Sequence, residues 1–147
     1  MSKPTDLELA YFAGFFDGEG SMSINNRIGG SPRGVSPNHS LQVSIGNTDP
    51  AVLRTIHSYF GGSLTLRKTA KPNHRNVTQW IIPTVGALGF LVAIRPYLVM
   101  KAEAADVAIE YQKTKSMRGP RRVTEEDIKW REEQRLKIQQ INAKQRI

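Results

Sequence analysis

Cysteine is absent from the 147 residues, which excludes disulfide staples and thiolate zinc centres and fits a reducing compartment. Aromatic residues make up only 7% of the chain, and no apolar run approaches the ~20 residues that a membrane-spanning helix needs. Met1-Ser2-Lys3-Pro4 has no signal-peptide pattern, so a soluble intracellular protein with no membrane partner is the expectation; host and compartment are left open. No phosphate-binding loop and no Ser/His/Asp nucleophile set is present, and His39, His57 and His74 lie in no metal-ligand spacing; they read as surface or partner-side histidines. Acid is also scarce in one stretch, where residues 22–82 hold seven Lys or Arg against Asp49 alone. The formal net charge is +8, yet residues 1–21 are net acidic, with Lys3 against Asp6, Glu8, Asp17 and Glu19. Charge so segregated makes a polyanion the expected partner, because each phosphate contact releases condensed counterions.

With 39% hydrophobic residues, this length predicts one domain that buries roughly 70% of its unfolded surface. Thr5 and Glu8 have capping-box spacing behind Pro4, and they open a helix that runs into Asp17-Gly18-Glu19-Gly20. Ala10, Gly14 and Gly18 recur at every fourth position, which predicts a face for close helix–helix contact. Acids at a helix C-terminus face its exposed carbonyls and the negative end of its dipole, so they need a cation nearby. Either they cap and solubilise a turn, or carboxylate and backbone carbonyl hold a divalent cation, with Gly18 and Gly20 leaving room for it and for a phosphate.

Alternation of period two follows in Met22–Ile28, Ser40–Ile45, Leu64–Arg67 and Arg75–Ile82, predicting four half-buried antiparallel strands. With the apolar phase inward, Ser23, Asn25, Arg27, Gln42, Ser44, Thr65, Arg67, Arg75 and Gln79 form an outer face suited to base edges and phosphates. Ile28 to His39 reads as a long loop carrying Arg33, and Lys68 to His74 as a basic loop. Helices are expected from Thr48-Asp49-Pro50 to Phe60-Gly61-Gly62, over Pro83–Tyr97, over Lys101–Lys113 and over Val123–Ala143. The last is read as a packed or DNA-flanking helix, reached through a flexible basic segment, Lys113 to Arg122.

The segment Phe12-Ala13-Gly14-Phe15-Phe16-Asp17-Gly18-Glu19-Gly20 resembles the signature of LAGLIDADG homing endonucleases, with Glu19 at the second acidic position. The resemblance covers residues 5 to about 112 and implies an α+β, αββαββα fold with a curved four-stranded antiparallel sheet, here with an additional C-terminal helix over 113–147. One copy of the motif implies a homodimer built on Ala10, Ala13, Gly14 and Asp17. It further implies site-specific, Mg²⁺-dependent cleavage of double-stranded DNA at a nearly palindromic target, with Mn²⁺ as a substitute metal. Glu19 and the Gly18 carbonyl would bind the metal, and the outer strand face, together with Arg33, would contact DNA. Asn47 stands where relatives often carry a Gln, so it either orders solvent or caps a loop; Lys101 matches a lysine that stabilises the phosphate or perturbs the water. Glu19 in place of the commoner Asp lengthens the ligand by one methylene. A splicing maturase that binds intron RNA without cutting and a DNA-binding repressor are the rival readings, and an intact Glu19 argues against both.

Overall fold

A computed structural model of the chain describes residues 3–27, 38–68, 76–118 and 123–144. Helix α1 (Asp6–Glu19) leads into strands β1 (Gly20–Arg27) and β2 (Asn38–Asn47), helix α2 (Ala51–Phe60), and strands β3 (Ser63–Arg67) and β4 (Val77–Pro83). Helices α3 (Thr84–Ile94), α4 (Ala102–Arg118) and α5 (Glu125–Lys144) complete the chain, with a 3₁₀ turn over Arg95–Tyr97. The four strands form one antiparallel sheet in the order β1-β2-β4-β3.

Strand alternation decides the two layers. Met22, Ile24, Leu41, Val43, Ile45, Trp80 and Ile82 are all buried under the helices, while their neighbours in sequence face the other way. Phe90 of α3 anchors the core, with Phe16, Phe60 and Trp80 packed edge-on at 5.6, 5.1 and 5.0 Å. Trp80 Nε1 donates to the Gly61 carbonyl at 2.7 Å, which ties β4 to the end of α2. Gly62 follows at φ 90°, and a Cβ there would lie 2.6 Å from the Ile81 carbonyl, so only glycine fits this turn.

The capping box expected at α1 is formed: Thr5 Oγ1 accepts from Glu8 N and Glu8 Oε1 accepts from Thr5 N, each at 3.1 Å. Two boundaries differ from expectation. Helix α4 continues past Lys113 to Arg118, because Tyr111 stacks on Trp130 of α5 at 5.6 Å and Arg118 pairs with the buried Asp127. Strand β2 begins at Asn38, so His39, expected in a loop and on the surface or DNA side, is fully buried beneath α4 and α5.

Candidate active site

Two acids at the end of α1 are sent to opposite fates because residues two apart on a helix point to opposite sides. Asp17 is only 7% exposed. Its Oδ2 accepts from Val99 N at 2.8 Å and its Oδ1 from Lys101 N at 2.9 Å, so it fixes the segment that enters α4. Lys101 answers by donating Nζ to the Asp17 carbonyl at 2.6 Å, with its ammonium 5.9 Å from the centre of the Phe16 ring. The cation that the helix terminus required is therefore supplied by the turn that leads into α4. Burial pushes the Lys101 pKa down, and the Asp17 charge partly opposes the shift. Glu19 is exposed where α1 turns into β1, and a Cβ on the exposed Gly18 would meet nothing within 4 Å. Gly20, expected to leave room for a cation or phosphate, has a different reason: a Cβ there would fall 2.1 Å from Phe16 Cδ1. Asn47 Oδ1 accepts from Asp49 N at 2.9 Å, the loop-capping geometry; its Nδ2 is the donor that this turn does not use.

Strand register places Ser23, Asn25, Gln42, Ser44, Thr65, Arg67 and Gln79 on the sheet face away from the helices. Asn25 Nδ2 donates to Gln42 Oε1 at 2.9 Å, Ser23 Oγ donates to Asn25 Oδ1 at 3.2 Å, and the hydroxyls of Ser21 and Ser44 share a bond at 2.8 Å. These contacts hold amides and hydroxyls in defined orientations on a surface that has no carboxylate among the described residues. Arg27 pairs with Asn38 through the strand ladder, but its side chain lies outside the described residues, as do Arg33 and Arg75.

Comparison with known proteins bears on this geometry. A family model described as LAGLIDADG endonuclease matches residues 12–93, more than half of the sequence. The chain belongs to the LAGLIDADG endonuclease family. Its fold is similar to the archaeal intron-encoded homing endonuclease I-Vdi141I, solved with DNA, at TM-score 0.73 and 18% identity over 92% of this chain and 84% of that one. The homing endonuclease I-CvuI, solved with a DNA target in the presence of Mg, gives TM-score 0.71 and 17% identity over 92% and 82%. I-GzeII, also in complex with a DNA target, gives 0.64 and 14%; this chain covers 44% of it. No curated protein sequence matches the chain.

The LAGLIDADG helix departs from expectation in what it exposes. Ala13, expected at a subunit interface, is fully buried in the chain's own core, and Asp17, expected there too, is spent on Val99 and Lys101. Ala10 is half-buried and Gly14 and Gly18 are exposed, so the open face is narrower than the sequence spacing implied. That face is lengthened instead by Leu7 and Tyr11, exposed by 85% and 59%, and at the other end of α1 Val99 and Met100 are exposed by 81% and 54%. Sequence reasoning missed these apolar residues. The spacing 7, 11, 14, 18 is a helix-face repeat that carried the signal.

Proposed function

We propose that this chain is the subunit of a homodimeric, divalent-metal-dependent endonuclease that cuts both strands of a long, nearly palindromic DNA site. The observation that carries the reading is the exposed Glu19 carboxylate at the end of α1, beside the open Gly18 and near the half-buried Lys101 ammonium, at the edge of a polar sheet face that has no carboxylate among the described residues. I-Vdi141I and I-CvuI, similar in fold, were both solved with DNA, which supports duplex DNA as the ligand.

Unfavourable features of the isolated chain support the dimer. Glycine inside a helix costs about 0.5–1 kcal/mol against alanine, and a Cβ at Gly14 or Gly18 would meet nothing within 4 Å. A second backbone approaching this face supplies the missing reason, and the exposed Leu7 and Tyr11 supply apolar area to bury. Covering 84% of I-Vdi141I but 44% of I-GzeII is the relation expected between a one-motif subunit and a chain holding two.

Among the described residues no cluster of three or more His, Cys, Asp or Glu is present, so one chain alone is an incomplete metal site. The donors nevertheless suit Mg²⁺, and Mn²⁺ in its place: a solvent-facing carboxylate and a backbone carbonyl at the negative end of a helix are hard oxygen ligands. Glu19 and the Gly18 carbonyl of each subunit would hold it, with DNA phosphates completing the shell. Bound there, the ion supplies Lewis-acid polarisation of the phosphodiester and acidifies the attacking water. Lys101 Nζ stabilises negative charge developing on the phosphate, and its burial eases loss and return of the proton at that nitrogen. Asn47 contributes at most its Nδ2 to solvent order, since Oδ1 holds the turn.

Cleavage of a randomised duplex-site library tests the reading. Wild type with Mg²⁺ cuts discrete sites, whereas Glu19→Gln, or Ca²⁺ in place of Mg²⁺, leaves the same sites bound and uncut. Salt-sensitive binding without cutting by wild type would overturn catalysis in favour of a repressor, and preference for structured RNA over duplex would favour a splicing cofactor.

A further inference from the structure

The inward phase of β1 and β2 should be apolar to its end, but at the far end of the hairpin it carries Asn26 opposite His39. Both turn to a single acceptor on the C-terminal helix: Asn26 Nδ2 donates to Glu132 Oε2 at 3.2 Å, and His39 Nε2 lies 2.8 Å from the same oxygen. Arg135 Nε holds the other carboxylate oxygen at 2.9 Å, fixing Glu132 on α5. From α4, Lys115 Nζ and Tyr111 OH both donate to the His39 backbone carbonyl, at 2.6 and 3.2 Å. A second grip lies further along, where Asn142 Nδ2 donates to the Met22 carbonyl at 3.2 Å. From Glu132 to Asn142 the helix rises about 15 Å, and from Asn26 back to Met22 the strand covers about 13 Å, so α5 grips β1 at two matched points.

Position gives this clamp its consequence. Strand β1 starts at the catalytic end of α1, and Asn26 is about 20 Å along it, the length of about six base pairs of duplex. The clamp approaches from the helix layer, opposite the face that bears Ser23, Asn25 and Gln42. We propose that α5 is a specificity strut: Glu132, which reaches no DNA-facing position, fixes the far end of the β1–β2 hairpin through Asn26 and His39 and thereby sets discrimination at the outer base pairs of the target. This rests on the DNA-endonuclease reading. Glu132 is a positioning residue, and its loss loosens outer base reading while leaving the chemistry at Glu19 intact.

The test compares full-length wild type, Glu132→Gln and Arg135→Ala on the preferred duplex and on single-base variants at central and outer positions. Arg135→Ala removes one support of Glu132 and serves should Glu132→Gln melt. Expected are a kcat within about twofold of wild type on the preferred site, unchanged discrimination at central pairs, and roughly tenfold weaker discrimination at outer pairs. An equal loss at all positions, or no loss at outer ones, would overturn the strut. Amide exchange in the DNA-free protein reads the same coupling without nuclease activity: both variants speed exchange around Asn25–Arg27 and Asn38–Ser40 and leave the β2–β4 ladder unchanged. Unchanged exchange at the hairpin end overturns the strut. Faster exchange in a protein whose wild type neither binds nor cuts duplex overturns the endonuclease reading, and the assigned role in base discrimination with it.

Discussion

Asp17 and Glu19 are the same kind of residue in the same turn of sequence, and burial separates them. Asp17 accepts two backbone N–H groups while only 7% exposed, so an amide there must set its Nδ2 against one of those donors. Asp17→Asn is expected to cost about 2 kcal/mol and to shift Lys101, whereas Glu19→Gln on the exposed side costs less than about 0.5 kcal/mol. Denaturant melts of the two variants check this; equal losses would show that Asp17 does not clamp α4. Glu132 gives a pH signature. Hydrogen bonds from Arg135 first, then His39, pull its carboxyl down to about 2 from an ordinary 4.5. A depressed carboxylate contributes stability that is present above its unfolded pKa and lost as pH falls through the folded one. Wild type should therefore lose stability between about pH 4.5 and 2 in a component that Glu132→Gln lacks. Melting temperatures across that range measure it, and parallel curves for the two proteins would remove the clamp from the stability of the fold. Sequence made the acid pair visible at the helix terminus but not which acid turns inward. That depends on Val99 and Lys101, which are more than eighty residues away and are brought there only by α3.

At the scale of elements, local chemistry was legible wherever it is one-dimensional. Thr5 with Glu8 marked the start of α1, Gly61-Gly62 marked the end of α2, and period-two alternation assigned the two faces of β1, β2 and β4, whereas in the edge strand β3 Leu66, expected inward, is exposed. What escaped were elements whose apolar stripe is irregular or exposed. Helix α5 buries Ile138 and Ile141 but also Asp127, and its docking rests on the Tyr111–Trp130 stack, which no periodicity announces. On α1, Leu7 and Tyr11 are exposed on the face of Gly14 and Gly18, apolar residues that attention to the small ones alone passed over. A substitution on that face separates subunit from subunit interface. Gly14→Leu should leave the fold of one chain intact, since a Cβ there meets nothing within 4 Å, and should split the dimer, because a second backbone cannot approach a leucine closely. Sedimentation velocity of wild type and variant decides it: a variant that stays dimeric would place the subunit contact elsewhere, and wild type sedimenting as a monomer at micromolar concentration would overturn the proposed homodimer.

Charge is the property that belongs to the whole molecule. The net +8 sums an acidic first segment, residues 1–21, which carries Glu19, with residues 22–82, where seven bases face one acid, and residues 83–147, where thirteen bases face eight acids. On the proposed reading, a divalent cation at Glu19 and a polyanion along the sheet are complementary demands on different regions, and two subunits would double both. Counterion release makes the dimer's affinity fall steeply with salt: six to ten phosphate contacts correspond to a loss of about 10³–10⁵ in binding between 50 and 200 mM. The polar network of Ser23, Asn25 and Gln42 carries no charge, so its contribution to discrimination between sites is far less salt-sensitive. Titrations of preferred and scrambled duplexes over that salt range, in Ca²⁺ to prevent cutting, should therefore give steep, nearly parallel log–log lines separated by a constant offset. Arg67→Gln should lower the slope by about one for each subunit's lost phosphate contact and leave the offset in place. Asn25→Ala should shrink the offset and leave the slope unchanged. An exchange of these two effects would mean that Arg67 reads a base and that the amide network only positions the backbone.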